Sequence, residues 1–416
     1  MKKLVLIFTC AALATGGAYA QNKLVDEVKS EIGGMNANSS TFKNARGKIK
    51  AALSNEETKN SALAWFIAGK SGYGFYDKCM GEKAIGKQVD DKDMCTALLE
   101  GYEYFMKALE LDKVPELEKD GTQKVDKKTG APKFKTKYTK EIVSLVAGHV
   151  NDFMNAGNGF YDAKDYVNAA KAWGIFCDFE NAEYLGKFRP EFPDSTYAQI
   201  RFYQGVSAWQ AEDLKGALKA FEQARQKGYK DKDVYDYSMS VAAGIPDNDG
   251  AVVAIAKEAY PLFGKKDNTY VRIIVNDLLN KEKYDEANKV IDQTIAENPS
   301  NEEYLDLKGV LLEQQNKIDE AIEYFKKAVD ANPDYAKGNF DLGRMYFNKA
   351  VKVQEENPTL NSAQLKAKTE PFYRQALPYL EKCHALDKDN SDCKRALSNI
   401  YYQMGDEEKL KAIEAE

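Results

Sequence analysis

The chain repeats a pattern of residues every 34 positions between about residues 268 and 335. Ala287 returns as Ala321, and Pro299 returns as Pro333, each pair 34 positions apart. A fixed period of this length indicates a repeat array, in which each unit buries its apolar face against the next unit. A single closed core needs no such spacing, so the period restricts the possible folds strongly.

Each repeated unit predicts two short amphipathic helices. In Leu305 to Leu312, and again in Ala321 to Ala328, apolar or small residues fall three and four positions apart, which places them on one helix face. The pair Asn316-Lys317 separates the two stretches. Asn332-Pro333 ends the second, because proline cannot continue a helix. Neither helix buries its face alone, so the pairs must stack.

The unit that begins at Glu302 carries a characteristic set of residues in a characteristic order. These residues are Leu305, Gly309, Leu312, Ala321, Phe325, Ala328 and Pro333. The pattern resembles the tetratricopeptide repeat (TPR) family, although Lys308 stands where that family has leucine. The resemblance implies an all-α fold, a right-handed α-solenoid of antiparallel helix pairs, here with loop insertions.

The quality of the repeats divides the chain into a degenerate part and a regular part. We predict an N-terminal helical segment at 21–60, degenerate repeats at 61–265 with insertions at 80–94 and 114–140, and a regular array at 266–416 with an insertion at 350–371 and a C-terminal capping helix.

The first twenty residues have the three parts of a secretory signal peptide. Met1-Lys2-Lys3 is basic, Leu4 to Leu13 is apolar, and Ala18-Tyr19-Ala20 is a small-residue cleavage site. We therefore expect a signal peptide at 1–20 and a mature chain without a transmembrane segment. We expect the chain to be secreted across the inner membrane of a Gram-negative cell and to be periplasmic or associated with the outer membrane.

The balance of charge argues against a nucleic-acid partner. The chain has a formal net charge of −6, whereas binding to phosphates requires a basic face. The stretch from Lys124 to Lys140 is a basic exception. It is either a solvated insertion loop or a contact with an anionic surface.

Cysteines offer two local disulfides in an oxidising compartment. We predict the pairs Cys79 with Cys95 and Cys383 with Cys393, because each pair brackets a short predicted connection, and this leaves Cys177 unpaired. The alternative is that all of them are buried thiols on helix faces.

No motif for catalysis or for a bound metal is present in the sequence. His149 and His384 are the only histidines, and neither has a second ligand at helical spacing. Gly69-Lys70-Ser71 resembles the end of a phosphate-binding loop, but its first glycine is replaced by Ala64. We expect no cofactor, no metal and no enzymatic activity.

The resemblance implies a concave groove lined by the first helix of each pair. The residues carried over to that groove are Asn158, Tyr161, Phe202, Trp209, Arg272, Asn276, Asn280, Asp306, Lys337, Phe340, Arg344, Phe347, Asn348, Arg395, Asn399 and Tyr402. Aromatic, arginine and amide side chains together suit a peptide, because they supply contact area, carboxylate recognition and backbone hydrogen bonds.

One mode of TPR recognition, a clamp for a peptide's terminal carboxylate, is matched only in part. Arg272, Asn276 and Lys337 fit the clamp, whereas Leu307 and Asp341 break it. The expected function is a non-catalytic scaffold that binds a protein or peptide partner in cell-envelope assembly. The alternatives are a surface or periplasmic glycan-binding protein and, third, an atypical enzyme.

Overall fold

A computed structural model describes residues 22–415, so the expected signal peptide lies outside the described part. Helix α1 spans residues 22–32. The following helices are α2 (Ser39–Leu53), α3 (Ala62–Ala84), α4 (Asp91–Leu111), α5 (Thr139–Gly148), α6 (Val150–Asp162), α7 (Tyr166–Asp178), α8 (Asp194–Gln210), α9 (Leu214–Gln226), α10 (Lys232–Ala243), α11 (Asp249–Phe263), α12 (Thr269–Asn280), α13 (Tyr284–Glu297), α14 (Glu302–Gln314), α15 (Ile318–Ala331), α16 (Ala336–Glu356), α17 (Ser362–Leu386), α18 (Ser391–Met404) and α19 (Glu407–Ala415).

The chain forms two compact units, the first ending at Val234 and the second beginning at Tyr235. The first unit packs its helices around a core that includes Phe105 and Phe160, while the core of the second unit includes Phe325. Antiparallel helix pairs make up both units, so the expected all-α architecture of a helical repeat protein is confirmed. No described helix is both long and apolar enough to span a bilayer.

The turn between the two helices of a pair has a recurring conformation. Lys164, Glu212, Glu282 and Asn316 all have φ between 56° and 62°, the left-handed region. Each lies two residues after the end of the first helix of its pair. After Asn316, the amide of Lys317 donates a hydrogen bond of 2.9 Å to the carbonyl of Leu312, which closes the end of α14. The predicted break at Asn316-Lys317 is therefore confirmed.

Inside each pair, a glycine of the first helix faces a large side chain of the second. A Cβ on Gly309 would lie 2.6 Å from the ring of Phe325, sixteen positions later. Gly157 with Trp173 and Gly205 with Phe221 repeat this contact at the same separation. The absence of a side chain on the first helix lets the two axes approach closely.

Two helix pairs are longer than the others, and the predicted insertions at 80–94 and 350–371 lie within them. Gly69 faces Phe105 and Gly343 faces Leu380, at separations of 36 and 37 positions. Most of the segments 80–94 and 350–371 is helical, because they extend α3, α4, α16 and α17, and only residues 85–90 and 357–361 connect the helices. The extended helices pack against each other; Gln354 donates a hydrogen bond of 3.0 Å to the Tyr373 hydroxyl. Proline does not interrupt α17, which contains Pro371 and Pro378.

The predicted insertion at 114–140 is a folded loop of short antiparallel pairs. Strand β1 (Val114–Pro115) pairs with β2 (Phe134–Lys135). Isolated bridges join Leu117 to Gln123 and Val125 to Pro132.

The five cysteines of residues 22–415 are free, buried thiols in the structure. The Cys383 and Cys393 thiols hydrogen-bond to each other, and Cys393 Sγ lies 3.1 Å from the carbonyl oxygen of Leu380. The predicted disulfides are thus not formed here. Burial raises the pKa of the Cys177 thiol to about 12, so Cys177 is a poor nucleophile.

Oxidation should link Cys383 to Cys393, because their thiols are already in contact between α17 and α18. Closing so short a loop stabilises a chain by roughly 2 to 3 kcal/mol when the bond is unstrained. The measurement is a peptide mass map after non-reducing digestion of protein secreted into an oxidising compartment. A map in which both thiols are free contradicts this prediction, and the same map tests Cys79 with Cys95.

Candidate functional site

A cavity of about 420 Å³ opens on the second unit. Side chains from the first helices of three successive pairs, α12, α14 and α16, line most of it. The lining residues are Asn268, Val271, Arg272, Asn276, Glu303, Tyr304, Asp306, Leu307, Val310, Glu313, Gln314, Tyr335, Lys337, Asp341 and Arg344. We call this cavity the groove. Five residues predicted from the sequence meet here: Arg272, Asn276, Asp306, Lys337 and Arg344.

The repeat period brings these side chains together. Arg272 and Asp306 are 34 positions apart, as are Asn276 and Val310, so equivalent points on neighbouring helices face the same space. Local capping sets where α14 begins: the side chain of Asn301 accepts a hydrogen bond of 3.0 Å from the amide of Tyr304. The Tyr304 hydroxyl in turn donates to the carbonyl of Gly264 at 2.8 Å. These contacts hold the floor of the groove in register.

A network of charges crosses the groove between α14 and α16. The Lys337 ammonium contacts both Asp306 and Asp341, at 2.7 Å from Asp341 Oδ2. Arg344 donates two hydrogen bonds of 2.7 and 2.8 Å to the Glu313 carboxylate. It also donates one of 3.0 Å to Asp341. The two basic side chains of α16 that line the groove are therefore neutralised within the protein.

Asp306 is the most unusual group in this network. Its carboxyl is buried, the residue being 2% exposed, and Oδ1 has no hydrogen-bond partner. Burial, followed by the negative charge of Asp341, raises the pKa of Asp306 to about 7, against the opposing effect of Lys337. Burial also raises the pKa of the Tyr335 hydroxyl, with Asp306 as the next cause. Asp306 therefore releases its proton closer to neutral pH than an exposed aspartate does.

Three groove residues are free to meet a ligand. Arg272, Asn276 and Gln314 are exposed. The guanidinium of Arg272 forms no ion pair and no hydrogen bond with any residue between 22 and 415. Lys337, which matches the carboxylate clamp, is held by two aspartates, so Arg272 is the basic group of the groove that remains for a ligand carboxylate.

The other predicted residues lie outside the groove. Phe202 is a correction: it is buried, and its ring stacks on Tyr229 with centroids 4.7 Å apart, so it packs the core of the first unit. Phe340 and Phe347 are half-buried against the second core. Arg395 pairs with Asp392 at 3.0 Å. The remaining ones are exposed or half-buried helix residues: Asn158, Tyr161, Trp209, Asn280, Asn348, Asn399 and Tyr402.

Sequence reasoning did not predict the ion pairs that the acidic residues of the groove form. Glu313 holds Arg344, and Asp341 holds both Arg344 and Lys337. A signal for the first contact was present, because Glu313 precedes Arg344 by 31 positions, as Asp306 precedes Lys337. Between residues 22 and 415, no group of three or more histidine, cysteine or acidic side chains could hold a metal ion.

Comparison with known proteins agrees with the geometry of the repeats. Residues 274–336 match a tetratricopeptide repeat family model. The chain resembles the tetratricopeptide repeat family. The model covers α13, α14, α15 and the residues around them, which include much of the groove. No curated protein matched the chain.

Solved structures similar to the chain include other helical repeat proteins. A TPR repeats protein from Bacteroides fragilis is 18% identical over 61% of this chain and 98% of its own, with a TM-score of 0.33. MamA from Desulfovibrio magneticus is 16% identical over 47% and 97%, with a TM-score of 0.33. A human IFIT1 dimer with m7Gppp-AAAA is 13% identical over 83% and 72%, with a TM-score of 0.36.

Proposed function

We propose that this chain is an exported, non-catalytic scaffold that binds a protein or peptide partner in the groove and acts in cell-envelope assembly. A TPR repeat fold suggests a protein-interaction scaffold and is typically non-catalytic. The observation that carries the proposal is the groove itself, where successive repeats place Arg272, Asn276 and Gln314 around one cavity with their polar groups available.

The chemistry of the groove favours an extended peptide with a carboxylate. Arg272 can form a bidentate pair with a carboxylate of the partner. The amides of Asn276 and Gln314 can bond to its backbone, since an extended peptide leaves its N–H and C=O groups unpaired. Val271, Leu307 and Val310 add apolar contact in the same cavity.

The support for export is in the sequence. The basic start, apolar run and small-residue site within residues 1–20 have the order that secretion requires. Export would place the groove among envelope proteins, which is why we propose a partner from that compartment.

The positions of the tryptophans do not support the glycan-binding alternative. Stacking on a sugar ring needs an exposed aromatic face, but Trp173 is buried, and Trp65 and Trp209 are half-buried. The indole N–H of Trp65 is also occupied by the carbonyl of Lys59 at 2.6 Å. No observation on the described residues favours the third alternative, an atypical enzyme.

Reversing the charge of the groove's free arginine should weaken capture of the partner. We expect the double variant Arg272→Glu with Asn276→Ala to lose at least about tenfold in affinity, since a carboxylate would then face a carboxylate. The measurement is a crosslinked pull-down from envelope extract, followed by titration of the captured protein. Both positions are exposed on α12, so the variant should keep its fold.

A matched control is Lys289→Glu, which makes the same change of charge at an exposed lysine of α13 outside the groove. It should capture the partner as wild type does. Arg344 and Phe347 are less suitable targets, because Arg344 holds two carboxylates and the Phe347 ring packs 5.9 Å from that of Tyr373. Equal capture by wild type and by the double variant would contradict the proposed site.

A further inference from the structure

The basic segment between α4 and α5 is a folded platform with three short pairings. Its stem is the pairing of β1 with β2. One arm is closed by the bridge of Leu117 to Gln123 and the other by that of Val125 to Pro132. The three pairings meet at a ring of backbone hydrogen bonds, in which Glu116 donates to Lys133, Lys133 to Lys124, and Lys124 to Glu116. We call residues 113–140 the platform.

The pairing separates the platform's side chains onto two faces. Successive residues of an extended chain point to opposite sides, and residues paired across strands point to the same side. One face therefore carries Pro115, Leu117, Gln123, Val125, Pro132 and Phe134, while the other carries Val114, Glu116, Lys124, Lys133 and Lys135. Five of the six residues on the first face are apolar. Leu117, Val125 and Phe134 are 55%, 52% and 43% exposed, so this apolar face is open.

The platform is held in shape by carboxylates at its neck and at its turns. Asp112 is buried and accepts hydrogen bonds from the amides of Lys137, Tyr138 and Thr139 at 2.8 to 3.0 Å. Asp120 and Asp126 accept from the amides of the two turns. The apolar face therefore belongs to an element that is already ordered. Binding through this face does not require a flexible loop to become ordered.

Charge distinguishes the platform from the rest of the molecule. Residues 113–140 contain nine lysines and four carboxylates, a net charge of +5. The whole chain has a formal net charge of −6, so all other residues together carry −11. Two of these lysines, Lys124 and Lys133, pair with carboxylates of the platform at 3.8 Å. The other seven form no ion pair with any described residue. Three of the seven, Lys119, Lys127 and Lys128, lie at the turns that end the two arms.

We propose that the platform docks the protein on an anionic lipid bilayer. Its apolar face would enter the interfacial region of the membrane, and the lysines around it would contact lipid phosphates. Open apolar side chains beside unpaired lysines are the combination that holds a protein on an anionic membrane surface. The acidic remainder of the chain is repelled from the same surface, which makes the platform the point of contact. This surface is separate from the groove and does not depend on it.

The test measures binding of the mature chain to vesicles by flotation. One set of vesicles contains phosphatidylethanolamine with about a third phosphatidylglycerol, and the other contains phosphatidylcholine alone. We expect wild type to float with the anionic vesicles only, and less so at high salt. The apolar-face variant, Leu117→Ser with Val125→Ser and Phe134→Ser, should bind at least about tenfold more weakly.

A second variant removes charge and leaves the apolar face intact: Lys119→Gln with Lys127→Gln and Lys128→Gln should also lose about tenfold on anionic vesicles. The control is Val167→Ser with Phe188→Ser, which removes exposed apolar side chains elsewhere in the same unit and should bind as wild type does. All substituted positions are exposed, and a melting curve by circular dichroism checks that each variant is folded.

Three outcomes overturn the proposal. Wild type that stays unbound to anionic vesicles excludes a lipid surface and leaves the platform as a contact for an anionic protein. Equal flotation of wild type and the apolar-face variant shows that another part of the chain binds. Equal binding to both kinds of vesicle removes the role assigned to the lysines.

Discussion

Gly72→Val is expected to lower the free energy of unfolding of the first unit by about 3 kcal/mol or more. A Cβ at Gly72 would lie 2.6 Å from the carbonyl oxygen of Ala97 and 2.9 Å from the Cα of Gly101. Both atoms belong to the backbone of α4, so no side-chain rotation relieves the overlap. The two helices must separate along a contact that buries Phe105 and Leu98.

Urea unfolding followed by tryptophan fluorescence measures this loss in the first unit, because Trp65, Trp173 and Trp209 all belong to that unit. Gly81→Ala is the control on the same helix: Gly81 is exposed, and its Cβ would meet nothing within 4 Å. Alanine there should be neutral or stabilise by up to about 1 kcal/mol, because glycine is a poor helix former. An unchanged urea midpoint for Gly72→Val would contradict the close crossing of α3 and α4.

The sequence predicts the regular repeats well because the same contact recurs at a fixed spacing. Gly309 with Phe325 is a contact between helices of one pair, and its positions in the chain follow from the 34-residue period. Gly69 with Phe105 is a contact of the same kind at a wider separation. Such contacts are local, and each is set by the pattern of small and large residues that the sequence displays directly.

The lengths of the longer pairs could not be predicted in this way. Twenty additional residues in the first long pair and twenty-one in the second were interpreted as loop insertions. The second helix of the second long pair contains Pro371 and Pro378, and proline normally ends a helix. In the structure α17 continues through both, because α16 extends alongside and packs against it. The length of a helix in a pair depends on the length of the helix that packs against it. The sequence of the first helix alone therefore does not determine where that helix ends. The platform was missed for a similar reason, since its strands have only two residues each.

The groove was predicted as a set of positions but not as a set of charges. Arg272 and Lys337 carry the same charge in the sequence, yet one is free and the other is bound by two carboxylates. The difference arises from side chains that meet between α14 and α16, 31 positions apart. Which cation of a groove is available therefore follows from the packing of neighbouring pairs, and a single motif does not determine it.

The burial of Asp306 between α14 and α16 makes the stability of the second unit depend on pH. The ordinary pKa of an aspartate is 3.8, and that of Asp306 is raised to about 7 in the folded chain. Between these values the folded chain holds a proton that the unfolded chain has released. The free energy of unfolding of the second unit therefore falls as pH rises through this window, by up to about 4 kcal/mol from this group. The loss is complete above pH of about 7.

Asp306→Asn should remove this dependence, because the amide resembles the protonated carboxyl at every pH. We expect the variant to exceed wild type in stability by a margin that begins near pH of about 4, grows as pH rises to about 7 and is constant above that. Hydrogen exchange of the α14 amides, corrected for intrinsic rates, measures opening free energies in the second unit directly.

Asp319→Asn is the control for this measurement. Its exposed carboxylate has a lowered pKa because Lys349 hydrogen-bonds to it, so its contribution to stability is lost only as the solution becomes strongly acidic. The difference between Asp319→Asn and wild type should stay constant over the range in which Asp306→Asn diverges. A constant difference for Asp306→Asn as well would mean that Lys337 keeps the buried Asp306 ionised throughout, so that the groove's charge is the same on both sides of neutral pH.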